Sequence, residues 1–249
     1  MLLYALLAGE INHNRCPSEC WKMINSTEIK SIVTGLGADR CGIAGIERFS
    51  AAPEGFRPTD IYTKCKSVVV FLKSLPPEVI MAENPVPYSH TAYLLYSALD
   101  QIGLELCSEL EKWNIHGVPV PTDVPYLYWD PGNKHGMGIL SMRHAAYNAG
   151  LGILGRSTLL INRESGNMVY IGAVLLDTAI EPDPVVNGFA CPPNCNLCID
   201  GCPVKALDGI TVNQKLCREF STLEHARGWD IYTCNECRKV CLYRNGKKG

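Results

Sequence analysis

Eight of the thirteen cysteines in this 249-residue chain lie between positions 191 and 241, and their spacing restricts the fold more than any other feature. The first run, Cys191-Pro-Pro-Asn-Cys195-Asn-Leu-Cys198-Ile-Asp-Gly-Cys202-Pro203, ends in C-x-x-C-x-x-x-C-P. A second C-x-x-C-x-x-x-C stands at Cys234, Cys237 and Cys241, with Cys217 between the two. This is the larger part of the bacterial ferredoxin pattern, in which the fourth cysteine serves the other cluster. A cubane takes one thiolate per iron from about four directions; a tight C-x-x-C loop supplies neighbours, and a cysteine just ahead of a helix points away to the partner cube. The spacing therefore predicts two [4Fe-4S] clusters with crossed ligands. Cys191, Cys195, Cys198 and Cys241 hold one, and Cys202, Cys217, Cys234 and Cys237 the other. Two details depart from the pattern: three residues separate Cys191 from Cys195 where two are usual, and Leu242 stands where a proline often follows. Structural zinc is the competing reading, because paired C-x-x-C loops also build tetrahedral thiolate sites, but it leaves the crossover spacing unexplained.

The other cysteines, Cys16, Cys20, Cys41, Cys65 and Cys107, are scattered. A secreted disulfide scaffold is usually short and spreads its cysteines throughout, so a dense group in a larger chain points to metal in a reducing compartment. With 47% hydrophobic residues the chain can bury a substantial core, and a net charge of -2 supplies no general basic field for nucleic acid. The apolar start, Met1 to Gly9, lacks a basic region ahead of it and is too short to span a bilayer, so a cytoplasmic protein without a membrane partner is expected.

Residues 1–25 show no clear period and read as an extension. Ser26 or Thr27 can cap a helix carrying Ile29, Ile32, Val33 and Leu36, followed by a strand from Cys41 to Ile46. Ser67 to Leu72 is a continuous apolar run of strand length, the kind covered on both faces and placed centrally in a sheet. A long amphipathic helix is predicted from about Ser89 to Trp113, then a strand from Gly117 to Thr122. Asp123 to Gly138 reads as a long loop rich in aromatic residues, a length more often functional than idle. A helix from Ser141 to Ala149 stops at Gly150, and strands at 159–161 and 169–177 flank the turn at Glu164 to Asn167. The proline-rich segment from Glu181 to Gly188 separates a domain at 26–185 from the cysteine-governed module at 186–249.

Two blocks carry a resemblance. Leu216-Cys217-Arg218, then Thr222-Leu-Glu-His225, then Tyr232-Thr-Cys-Asn-Glu-Cys-Arg-Lys-Val-Cys241 is one; Ala149-Gly-Leu-Gly-Ile-Leu-Gly-Arg-Ser-Thr-Leu-Leu-Ile-Asn162, followed by Tyr170-Ile-Gly-Ala-Val-Leu-Leu-Asp177, is the other. In this order and spacing they resemble the epoxyqueuosine reductases, which share a core with the corrinoid-dependent reductive dehalogenases; the likeness covers about residues 26–245. It implies an α/β (α+β) fold: a nitroreductase-like, cobalamin-binding core with a C-terminal two-[4Fe-4S] ferredoxin-like module whose nearer cluster reduces the cobalt.

By the same resemblance Gly150, Leu151, Gly152, Gly155 and Arg156 are cofactor-binding candidates, Arg156 standing where lysine is usual. Read alone, these glycines equally suit a helix stop and turn. Asp123, in Thr122-Asp123-Val124-Pro125, is similar to the family's proposed proton donor. A carboxylic acid there can protonate a departing oxygen if burial raises its pKa, although an Asp in a loop is often only a turn residue. His144 and Tyr147 are alternative donors. The expected function is reduction of a small or nucleoside-like molecule, with electrons from a donor such as ferredoxin or flavodoxin. The residues added around Trp129 to Gly138 would reshape the mouth of the pocket; the slightly acidic charge, with an end eight residues past Cys241 and no helical-repeat extension of the sort common in the tRNA-acting enzymes, argues against a tRNA substrate, despite a basic tail of Arg238, Lys239, Arg244, Lys247 and Lys248. The second reading is an electron-transfer or corrinoid-reactivating protein without a substrate of its own.

Overall fold

The computed structural model describes residues 24–246. Cys16, Cys20, Lys247, Lys248 and nearly all of the amino-terminal extension lie outside the described residues.

Helix α1 (Ser26–Gly35) begins at Asn25, one residue before the expected caps. The Asn25 side chain accepts from the Glu28 amide while the Glu28 carboxylate accepts from the Asn25 amide, so two otherwise unpaired helix-start donors are satisfied reciprocally. Strand β1 (Arg40–Gly45), the single turn α2 (Pro58–Ile61) and strand β2 (Ser67–Ser74) follow, then helix α3 (Val86–Glu111), which starts three residues earlier than its periodicity suggested. Strand β3 is Gly117–Val120. The expected loop from Asp123 contains a short hairpin, β4 (Tyr128–Asp130) and β5 (His135–Met137). Asp130 closes its turn by accepting from the amides of Gly132 and Asn133, which alternating hydrophobicity over three-residue strands could not reveal. Helix α4 (Met142–Asn148), strands β6 (Ile153–Leu154) and β7 (Leu160–Ile161), and strand β8 (Val169–Leu176) complete the larger part.

These elements form a mixed α/β fold around an antiparallel four-stranded sheet in the order β1-β2-β8-β3. The apolar run at 67–72 is central, as its composition requires: β2 pairs with β1 on one edge and β8 on the other, and its first six residues are buried. Side-chain alternation sends Val69 and Phe71 toward α1 and α3, where Ile29, Val33, Leu99 and Leu106 pack on them. Val68, Val70 and Leu72 face the opposite core, formed with Ala145 and Ala146 of α4 and with Leu160. The sheet thus carries a core on each face, and the face bearing α4 leads to the site.

Past the proline-rich segment come α5 (Leu197–Asp200), α6 (Gln214–Ser221), the hairpin β9 (Thr222–His225) and β10 (Trp229–Tyr232), and α7 (Glu236–Lys239). Phe189 packs on Ile153 and Ile161, with Cys191, Cys241 and Tyr243 against the same cluster. The Tyr232 amide donates to Ser89 Oγ at 2.7 Å, and Tyr93 Oη donates to the Asp230 carbonyl at 2.9 Å, fastening β10 to α3. Gly166, at φ +62°, lies under the end of the chain; a Cβ there would collide with the carbonyl oxygens of Tyr243 and Arg244. Gly166→Ala is expected to destabilise the protein by about 1–3 kcal/mol through the left-handed backbone alone, and by more if the segment after Cys241 must lift away, read as a lower denaturant midpoint.

Candidate functional site

A cavity of about 1280 Å³ opens between the α4 face of the sheet, the loop after β3 and helix α6. Its volume exceeds the roughly 300–1,000 Å³ of ordinary small-molecule pockets. Leu140, Leu160, Val169 and Ile171 make apolar walls, and Arg48, Arg143, Arg218 and Arg238 bring positive charge. Asp123 is the one carboxylate among the described lining residues. Two polar atoms in the wall, Thr122 Oγ1 and Asn167 Oδ1, are buried without a hydrogen-bond partner in the protein. Orphaned groups of this kind ordinarily have a partner in a ligand or bound water.

Asp123 reaches the cavity because β3 ends at Val120 and the chain turns through Pro121; the Thr122 amide donates to Asp100 Oδ1 at 2.9 Å and anchors the turn. Burial raises the Asp123 pKa, while the hydrogen bond from Tyr126 Oη, 2.9 Å to Oδ1, and the nearby Arg218 charge pull the other way; the net direction is upward. The acid form therefore persists to higher pH than in a free aspartate, the property a proton donor needs. His144 also lines the cavity, with Nδ1 2.7 Å from Ser141 Oγ, and burial followed by the Arg143 charge lowers its pKa. Tyr147 lies at the edge, 38% exposed.

The glycine-rich segment is placed differently from these residues. Gly150, Leu151, Gly152, Gly155 and Arg156 are not among the cavity's lining residues, whereas Leu154 is. Gly150, at φ +72°, ends α4 with its Cβ position against the Pro184 carbonyl; those of Gly152 and Gly155 face the Ile161 carbonyl and the Ile161 side chain. Their missing side chains admit close backbone packing of β6 against β7 and of the α4 terminus against the inter-domain segment. Leu151 is buried in the α4-face core, and the Arg156 guanidinium lies beside Gly209.

None of the eight cysteines of the carboxyl-terminal module is in a disulfide. Burial is the main cause of the raised pKa values at Cys198, Cys234, Cys237 and Cys241, with Cys237 pushed up to about 11. Neighbouring thiols add to it in a pattern. Cys241 is raised further by Cys191, Cys198 and Cys195, and Cys198 by Cys191 and Cys195; Cys234 is raised by Cys217 and Cys202, and Cys237 by Cys217, Cys234 and Cys198. Proximity thus groups Cys241 with the first run and Cys202 with the second, with Cys198 also near enough to Cys237 to raise its pKa. Among the described residues no three His, Cys, Asp or Glu side chains are arranged to hold a single metal ion. The Ala206 amide donates to Cys202 Sγ at 3.3 Å, the kind of contact that tunes a cluster's potential.

Cys217 links the thiols to the cavity, whose wall it and Arg218 form together. The Arg218 guanidinium lies 5.8 Å from the Tyr126 ring and 5.0 Å from the Trp129 ring. Arg238 follows Cys237 in the same way; it is buried, donates to the Asn167 carbonyl and sits 5.3 Å from the Tyr170 ring. Neither arginine was a candidate from sequence, nor were Arg48 and Arg143. The legible signal was the Cys-Arg dipeptide, which occurs at both positions.

Among the described residues no helix is long and apolar enough to cross a membrane. No protein-family model matches the chain. It is 33% identical over 120 residues to epoxyqueuosine reductase of Staphylococcus aureus, a match covering 44% of this chain and 31% of that protein. The chain therefore spans under a third of that relative's length. The corresponding enzyme of Leadbetterella byssophila is 26% identical over 261 residues, covering 88% of this chain and 80% of that one. Among solved structures, a catabolic reductive dehalogenase in complex with 3-bromo-4-hydroxybenzoic acid aligns with a TM-score of 0.69 at 17% identity over 91% of this chain and 33% of its own. Epoxyqueuosine reductase of Streptococcus thermophilus aligns with 0.65 at 20% over 90% and 67%. An epoxyqueuosine reductase with an epoxyqueuosine-modified tRNA-Tyr stem loop aligns with 0.59 at 19% over 90% and 66%. That last structure overturns the argument against tRNA: a protein of this fold binds an RNA stem loop. Net charge was a poor guide because recognition depends on the local field, and the cavity here sets four arginines against one carboxylate. In sequence the chain is similar to the epoxyqueuosine reductases, and its fold is shared with these enzymes and with the corrinoid reductive dehalogenases.

Proposed function

We propose that the chain is an iron-sulfur reductase that removes oxygen from a modified nucleoside carried in tRNA, with residues 26–185 as the reductase domain and 186–249 as a two-cluster ferredoxin-like module. The observation that carries this reading is the cavity wall itself, in which Asp123, Cys217 and Arg218 line one space.

Cys191, Cys195, Cys198 and Cys241 are the ligands of one [4Fe-4S] cluster, and Cys202, Cys217, Cys234 and Cys237 those of the other. The crossed spacing of the two cysteine runs, which a pair of zinc sites does not require, favours the cubes. The cavity suits a corrinoid in volume, in its apolar walls and in the unpartnered Thr122 Oγ1 and Asn167 Oδ1, which can bond the amide groups of such a ligand. When bound, a corrinoid would supply a strongly reducing cobalt centre, and Cys217 on the cavity wall would hold the nearer cluster.

The remaining work falls to the chain's own side chains. Asp123 holds a proton at a carboxyl whose pKa burial has raised, and Tyr126 fixes its orientation through Oδ1. Removing one oxygen as water takes two electrons and two protons; the electrons come from the external donor, Asp123 gives one proton and solvent the other. The arginines provide counter-charge for an anionic ligand, and the apolar walls limit water. A small donor such as ferredoxin or flavodoxin supplies the electrons.

The test is anaerobic reconstitution with iron, sulfide and cobalamin, followed by incubation with reductant and an epoxyqueuosine-modified tRNA stem loop. Conversion to the deoxygenated nucleoside, seen by mass spectrometry of the digested RNA, is the expected result. Cofactor reduction without conversion would instead support the electron-carrier reading.

A further inference from the structure

The hairpin β4–β5 stands beside the cavity, to which it contributes Gly136 and Met137. On it Trp129 is 45% and Tyr128 44% exposed, and Leu127, just ahead, is 86% exposed. Scattered exposed apolar residues are ordinary, but these adjoin one another at the edge of a large cavity. Trp129 is also held in place. Its ring stacks with Tyr126 at 6.2 Å between centroids and 17° between planes, and the Arg218 guanidinium lies 5.0 Å from it. The strand opposite is pinned to α6 twice, by the Gly136 amide donating to Gln214 Oε1 at 3.0 Å and by Gln214 Nε2 donating to the Gly136 carbonyl at 3.1 Å. Lys134 adds a 2.9 Å ion pair to Glu224 on the neighbouring hairpin, where His225 and Trp229 form a second exposed stack at 4.8 Å and 8°.

A rigid aromatic ring, half open to water, with a guanidinium beside it and further arginines in the adjoining cavity, is how proteins bind unpaired bases: the ring stacks the base, and the cations meet phosphate. Trp129 also leads to the proposed proton donor, since its stacking partner Tyr126 is hydrogen-bonded to Asp123.

We propose that Trp129 is the stacking residue for an unpaired base of the RNA loop, positioning the adjoining nucleoside to enter the cavity toward Asp123. This rests on the RNA reading of the site. The test measures binding of a fluorescein-labelled, unmodified tRNA-Tyr stem loop to the anaerobically reconstituted full chain by anisotropy, for wild type, Trp129→Ala and Trp129→Phe. Loss of one base stack corresponds to about 5- to 100-fold weaker binding, expected for Trp129→Ala. Trp129→Phe keeps a ring and should retain most of the affinity, while losing the share of tryptophan quenching on RNA addition that Trp129 contributes. Equal binding by all three proteins would overturn the inference and leave the RNA reading intact. No binding by wild type would instead remove the RNA reading on which it rests. If Trp129→Ala fails to retain iron, the decision passes to the quenching: a wild-type signal undiminished in Trp129→Phe overturns the proposal, and a diminished one supports it.

Discussion

Asp123→Asn is expected to lower turnover about 100- to 10,000-fold, the usual contribution of a positioned general acid, while iron content and the visible spectrum stay as in wild type. Asparagine preserves the size of the side chain and can still accept from Tyr126 Oη, so the 2.9 Å hydrogen bond that orients the group survives and only the transferable proton is lost. The pH profile separates this role from a structural one. With its pKa raised by burial, Asp123 keeps its proton above the ordinary value near 3.9, so turnover holds at lower pH and falls as pH rises through the raised pKa. Stability follows with the same sign: between the two pKa values the folded state binds more protons than the unfolded chain, so stability declines as pH rises through that window. Asp123→Asn removes both dependences. Equal turnover and an unchanged pH profile in the variant would show that the aspartate is a turn residue.

Cys241→Ser and Cys217→Ser are each expected to halve the iron content, from about eight to about four per chain, but to remove different clusters. Cys241 stands four residues after Cys237, yet it packs with Cys191 against Phe189 and is influenced by Cys191, Cys195 and Cys198. Its loss should empty the cluster of the first run and leave the one beside the cavity. Cys217 lies on the cavity wall, so its replacement removes the cluster nearest the substrate and should abolish turnover with any reductant. Cys241→Ser should keep some turnover with a small chemical reductant while losing it with a protein donor. Spectroscopy of the reduced variants checks the assignment: each should show a single uncoupled cluster, with a different signal in each. Matching residual signals would mean that the ligands do not cross.

Much of the sheet was legible because burial on both faces leaves an unmistakable run, as at Val68 to Phe71, and α3 because apolar residues recur at helical spacing from Ala92 to Leu106. The start of α1 was displaced by one residue because Asn25, Ser26 and Thr27 can all cap and only the reciprocal bond with Glu28 decides among them. The cysteine grouping was readable because it is local in sequence, eight cysteines falling between positions 191 and 241. The cavity was not: its charge comes from Arg48, Arg143, Arg218 and Arg238, distant in sequence and ordinary in their neighbourhoods, and only the fold brings them together. The glycines after α4 drew attention as a cofactor loop, whereas in the fold their missing side chains make room for neighbouring backbone and for Ile161. Glycine marks close approach without saying what approaches.

The central claim is that interleaved thiolates from two stretches hold a pair of iron-sulfur cubes beside the cavity. Iron, zinc and acid-labile sulfide measured on one anaerobically purified sample test it most directly. About eight iron and eight sulfide per chain, with magnetically interacting clusters in the reduced protein, are predicted. A colourless chain carrying zinc and no sulfide would contradict it.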